Sequence, residues 1–242
     1  MTYSSGLPTL NAMIIERLRL RTHLPEKQYR FYTQTLGLPG QRGRGGSFEL
    51  HTPGTNLVFK PYASPCHYHF AFNIPPYQYE PALQWLQERV TVLPDEQGHL
   101  LVDFSNWNAY AMYFWDPAGN IVEFIARRDL PESPVEGFSA ARIRSVSEIG
   151  LPVREVAPAS ARLQAVAGVP LYSGNQETFS AIGGPEGLFI VVDERKKTWY
   201  PTGQPAHPFP VEVRFRENGK RFELQLSSAG LDLRPASGSL QW

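Results

Sequence analysis

The chain has 242 residues, 42% of them hydrophobic, which is enough to bury a sizeable core in one large or two small domains. Lysine and arginine together number 23 and so do aspartate and glutamate, so a net charge of zero offers no basic field for nucleic acid or anionic lipid. A single cysteine, Cys66, excludes an internal disulfide; no apolar run approaches a membrane span, and the start has no secretion signal, so the expectation is a soluble, cytoplasmic protein with a small-molecule ligand.

Residues 1 to 10 read as a loose arm. A strand follows over 13 to 22, with Ile14, Glu16, Leu18 and Leu20 on one face and Ile15, Arg17, Arg19 and Arg21 on the other. Pro25 and Glu26 open a helix, since proline suits the first turn and an acid suits its dipole. Tyr29, Tyr32 and Leu36 give helical spacing before Gly37 stops it. The run GLPGQRGRGG, 37 to 46, has the glycines of a phosphate loop but precedes a strand, not a helix, and so lacks amides aimed at a phosphate. Strands at 48 to 51 and 57 to 62 flank the turn Thr52-Pro53-Gly54-Thr55.

The same order restarts at Cys66. The strand CHYHFAFNIP leads to a helix over 79 to 89 and strands at 90 to 93 and 100 to 105. AMYFWDPAGNIVEFIAR, 111 to 127, is then a hairpin: two apolar runs joined by Asp116-Pro117-Ala118-Gly119-Asn120. Its second arm carries a lone acid, Glu123, whose burial costs free energy unless a cation pairs with it. His67 and His69, at i and i+2, share a strand face, and with Glu123 they would make the two-histidine, one-carboxylate set of non-haem iron enzymes. Trp107, Asn108, Tyr110 and Tyr113 are suited to line a substrate pocket, with aromatic faces and polar tips.

Pro131, Pro134 and Gly137 mark a linker over 128 to 144. A third unit then opens with a strand at 145 to 153, a helix at 159 to 167 and strands at 177 to 182 and 187 to 192. A hairpin of 209 to 215 with 221 to 226, turning at Asn218-Gly219, completes it, and the tail from Ser227 is polar and loosely held. The division predicted is a two-module domain at 11 to 127 and a third module with its hairpin at 145 to 226. Neither a nucleophile elbow nor a dinucleotide fingerprint is present.

The wording Tyr113-Phe114-x-Asp116-Pro117-x-Gly119-Asn120-x-x-Glu123 resembles the last hairpin of a module in the vicinal oxygen chelate superfamily, the group of glyoxalases, bleomycin-resistance proteins and extradiol dioxygenases. FYTQTLGL, 31 to 38, resembles the helix end of its first module, and Tyr68-His69-Phe70-Ala71-Phe72 resembles an opening strand. The resemblance implies an α+β fold of paired βαβββ modules forming curved, cup-like mixed sheets. It puts His69 and Glu123 at metal-ligand positions, with His67 as the third, for a divalent ion such as Fe, Mn, Zn or Ni. The activity implied is that of a metal-dependent lyase, isomerase or ring-cleaving dioxygenase acting on a small oxygenated substrate. The alternative is a metal-free protein that binds an aromatic ligand or drug.

The first module departs from the pattern. Arg17 stands where the family has a ligand, and Val58 and Lys60 where it has Glu or Gln. A guanidinium has no lone pair to give a metal, so Arg17 would pair with Glu123, or meet substrate, if both line one cup. Glu148, the corresponding position of the third module, would reach a metal only if that module packs beside the second. A third module without a partner also predicts association as a homodimer.

Overall fold

The structure, a computed structural model, describes residues 12–131 and 137–236. The expected arm, the middle of the linker and the end of the tail lie outside the described residues. The first module runs β1 (Ile14–Thr22), α1 (Pro25–Arg30), β2 (Gly40–Arg42), β3 (Phe48–His51) and β4 (Asn56–Pro61). The second runs β5 (His69–Ile74), α2 (Tyr79–Gln87), β6 (Val92–Leu93), β7 (Val102–Phe104), β8 (Ala109–Trp115) and β9 (Ile121–Arg127). The third runs β10 (Ser145–Val153), α3 (Val156–Ala167), β11 (Leu171–Gly174), β12 (Phe179–Gly184) and β13 (Gly187–Asp193). After a short ribbon of β14 (Thr198–Trp199) and β15 (Gln204–Pro205) come β16 (Val211–Glu217), β17 (Lys220–Ser227) and β18 (Gly230–Pro235).

In each module the opening strand lies parallel to the closing one, β1 to β4, β5 to β9 and β10 to β13, as a helical crossover requires. The turn between β8 and β9 is fixed by Asp116. Its carboxylate accepts from the amides of Ala118 at 2.9 Å and Asn120 at 3.0 Å, and from the Tyr32 hydroxyl of the first module at 2.8 Å.

The pairing between modules differs from the expectation. A seven-stranded sheet has the order β18-β17-β16-β1-β4-β3-β2, and a nine-stranded sheet the order β11-β12-β13-β10-β5-β9-β8-β6, with β7 on β8. The second module therefore shares its sheet with the third, through β5 and β10, and the first with the terminal hairpin, through β1 and β16. The physical reason is that every opening strand offers a similar free edge, and strand spacing does not say which edges meet. The third module thus finds its partner inside the chain, in the second. The described part of the tail does not hang loose either: it returns as β18, in register with β17 from Ser227↔Gly230 to Phe222↔Pro235.

One apolar core takes Tyr32, Phe48 and Phe59 from the first module, Phe72, Phe114 and Phe124 from the second, and Leu163, Phe189 and Phe215 from the C-terminal half. Phe189 and Phe215, on different sheets, meet edge to face at 5.0 Å. Two β-bulges decide what faces away from this core. In β1 the extra residue Glu16 lets both Ile15 and Leu18 point inward and corrects the simple alternation expected there. In β10 the extra residue Ser147 does the same for Val146 and Ile149 and turns Glu148 to the other face. Among the described residues, no helix is long and apolar enough to cross a membrane.

Candidate metal centre

Strands β10, β5 and β9 lie side by side, and Ala71 at the middle of β5 is in register with Glu148 on one side and Glu123 on the other. His69, two residues earlier on β5, shares that face. The small Ala71 side chain leaves the space between the three open. One ligand atom from each of His69, Glu123 and Glu148 lies within 4.8 Å of the others, with His69 Nε2 3.5 Å from Glu123 Oε2. All three side chains are buried. They border a cavity of about 280 Å³ whose walls include Phe104, Trp107, Tyr113, Phe179, Trp199 and Tyr200. The Trp199 ring lies 5.2 Å from that of His69. It fits there because residue 150 is glycine: a Cβ at that position would sit 2.5 Å from the indole.

Arg127, at i+4 from Glu123 and i+2 from Ile125, is on the same face of β9 and donates to Glu148. Its Nε and one Nη are buried without a hydrogen-bond partner, and its guanidinium lies 5.3 Å from the centre of the Trp107 ring. Burial pushes the Glu123 carboxyl well above the ordinary range and the Glu148 charge adds to this, while Arg127 and a hydrogen bond from Tyr113 pull it back. Burial also raises Glu148, against the pull of Arg127. The Tyr113 hydroxyl is pushed far up by burial and then by Glu123, so it stays protonated. Burial lowers His69 to about 4, which leaves a neutral imidazole with a lone pair to give. Two buried acids thus share one guanidinium, and a divalent cation would balance what it leaves. One imidazole nitrogen and two carboxylates are a donor set that fits Fe, Mn, Zn or Ni.

His69 and Glu123 are together as expected, and Glu148 joins them because the third module does pack beside the second. His67 stands apart. It precedes β5, outside the pleated stretch in which i and i+2 share a face, and its Nδ1 lies 2.8 Å from the Gln204 amide. Arg17 is on the seven-stranded sheet and bonds Glu49 at 3.0 Å, so it does not meet Glu123. Trp107 and Tyr113 line the cavity. Tyr110 faces the opposite side, against Tyr79 at 4.3 Å, as a residue three positions from Tyr113 on a strand must. Asn108 takes a left-handed conformation, φ 47°, and bonds Asp129 at 2.7 Å. Arg127, Trp199 and Tyr200 were not singled out from sequence. The i, i+4 spacing from Glu123 was a usable signal for Arg127, whereas nothing in the spacing marks the two aromatics.

No family model and no curated protein matches the sequence. Solved structures do. A putative dioxygenase from Bacillus subtilis superposes with a TM-score of 0.58 at 14% identity, covering 89% of this chain and 85% of that one. The fold is glyoxalase/dioxygenase-like. A variant of glyoxalase I from Zea mays shares the fold, with a TM-score of 0.56 at 10% identity over 93% of this chain and 94% of that one. A second variant of the same enzyme gives 0.51 at 12% identity over 86% and 90%. At these identities the likeness is one of fold.

Proposed function

We propose that the chain is a divalent-metal-dependent enzyme in which His69, Glu123 and Glu148 hold the ion and a small oxygenated substrate with an apolar or aromatic body fills the adjoining cavity. The observation that carries this reading is the meeting of three buried ligand atoms, from three adjacent strands, within 4.8 Å beside an aromatic-walled cavity. When bound, the ion would supply Lewis acidity toward a pair of substrate oxygens or, if redox-active, the means to activate dioxygen. The chain's own residues do the rest. Tyr113, protonated, bonds Glu123 and sets its orientation, and Arg127, braced on Trp107, does the same for Glu148. The rings of Phe104, Phe179 and Trp199 exclude water from the reacting end and grip an apolar ligand. The reaction class is that of a lyase, an isomerase or a ring-cleaving dioxygenase.

Elemental analysis of purified protein, with Glu148→Gln and His69→Ala beside the wild type, tests the reading. Near-stoichiometric divalent metal in the wild type and its loss in both variants is the expected result. A wild-type protein that takes up none of Fe, Mn, Zn or Ni would overturn it. One observation favours a second reading: Arg127 already supplies a cation to Glu148. On that reading the cavity binds an aromatic ligand without metal, and ligand binding is indifferent to chelator.

A further inference from the structure

The seven-stranded sheet repeats the plan of the site and inverts its charge. It too has an opening strand, β1, a parallel closing strand, β4, and an antiparallel neighbour from the C-terminal half, β16. Where Ala71 lies in register with Glu123 and Glu148, Arg19 lies in register with Val58 and Glu212. Two residues before Ala71 stands His69, and two before Arg19 stands Arg17. The positions that converge as one imidazole and two carboxylates in the larger sheet are thus Arg17, Val58 and Glu212 in the smaller. The carboxylate that remains is held by Arg19 at 2.5 Å and Arg21 at 2.6 Å, which removes it as a metal ligand.

This face forms a cleft of about 460 Å³ whose lining includes Arg17, Arg19, Arg21, Arg42, Arg44 and Lys60. Among the described residues, Glu49, Glu212 and Glu26 form salt bridges to members of this basic set. Lys60 is in no salt bridge among the described residues; Arg19 above all, then burial, pushes its ammonium below the usual lysine range, with Glu212 only partly offsetting them. Arg17 Nε is buried without a hydrogen-bond partner. The glycine-rich run borders the cleft through Gly43 and Gly45, and a Cβ at Gly45 would meet nothing within 4 Å, so the backbone there is open to an approaching ligand. A surplus of fixed positive charge in a concave site is unfavourable when empty and is relieved by an anion.

We propose that the cleft binds a small polyanion, a molecule bearing a phosphoryl or similarly multiply charged group, with Lys60, Arg17 and Arg44 as its contacts. The surplus is local. The chain as a whole has 23 basic and 23 acidic residues, and Glu49 and Glu212 interrupt the basic face, so the site suits a compact anion and not a nucleic-acid strand or an anionic lipid surface. The proposal is independent of the metal centre.

Calorimetric titration of the full chain with inorganic pyrophosphate, at constant ionic strength and with chelator present, tests it. Saturable one-to-one binding is expected, weakened roughly tenfold or more by Lys60→Gln and by Arg44→Gln, since a charge-assisted bond is lost in each. Neither residue is in a salt bridge among the described residues, so both variants should keep the wild-type melting temperature. Glu123→Gln should leave the binding intact. Absence of saturable heat, equal affinity in wild type and both variants, or binding lost only in Glu123→Gln would each overturn the assignment. Sulfate binding as tightly as pyrophosphate, or phosphatidylglycerol vesicles competing it away, would overturn the small-polyanion reading.

Discussion

The two concave faces share one construction, three adjacent strands with a middle residue flanked on both sides, yet one gathers acids and the other bases. In the larger sheet the middle residue is Ala71, too small to answer its neighbours Glu123 and Glu148, so the cation must come from Arg127 or from an ion. In the smaller sheet it is Arg19, which bonds Glu212 directly. The fold decides where side chains converge; one side chain at the centre decides whether the cup receives a cation or repels it. Both cups also depend on the C-terminal half, which supplies one wall of each.

The largest effect expected follows from that shared dependence. Removing residues 138–242 strips β10 from β5 and β16 from β1, along with Glu148 and Trp199, and the fragment should show no cooperative thermal transition. A fragment that melts cooperatively would mean that the first two modules form a unit by themselves, as the succession of elements along the chain alone suggests. Next in size, Arg127→Met leaves Glu148 buried without its partner and should cost roughly 3–5 kcal/mol in metal-free protein by denaturant titration. Saturation with a divalent ion should recover much of that loss. In the other cup Arg17→Met should cost no more than about 1 kcal/mol, because the Arg17–Glu49 pair is partly exposed. Equal losses in the two cups would dissolve the contrast.

Metal affinity should separate the faces as well. Glu123→Gln removes an anionic ligand and should lower affinity by at least the roughly 10–100-fold that losing an outer-shell partner costs, whereas Arg17→Met should not change it. The smallest effect is on pH dependence. Glu123 and Glu148 titrate above the ordinary carboxylate value of 4.5, so their contribution to apoprotein stability is full below that value and declines as pH rises through their raised range. His69 acts in the opposite sense: its pKa falls from 6.5 to about 4, and stability is lost as pH drops through that window. Because an ion favours ionised acids and neutral imidazole, the rise in melting temperature on adding metal should grow as pH rises from about 4 through the raised range of the two acids. A rise independent of pH would place the ion elsewhere.

The modules themselves were legible, since Pro25, Gly37 and the Asp116 to Asn120 turn punctuate them and the order of elements repeats. So was the pair His69 and Glu123. Partnership between modules was not, because it is set by which sheet edges and core faces fit, through contacts such as Phe189 against Phe215. Glu148 could be read only as a conditional, dependent on that partnership. His67 misled because the pleat begins at His69, and a periodicity argument holds only inside the strand. Tyr110 and Tyr113 could not both face the cavity, which the odd spacing already excluded.

Ser147, the extra residue of β10, acts through count and not through chemistry. A strand presents its two faces with a period of two, so one inserted residue is a phase shift of half a period for everything beyond it. Val146 and Ile149, three apart, fall in step, and Glu148 arrives on the side of Ala71 and Glu123. Deleting Ser147 would alter no other side chain and would still put the β10 residues on one side of it out of step with the core. Glu16 sets the phase of Arg17, Arg19 and Arg21 in the same way. Each cup is thus addressed by a single residue whose own side chain takes no part in it, and gaining or losing a charged face in this fold takes one insertion or deletion, with no new residue type.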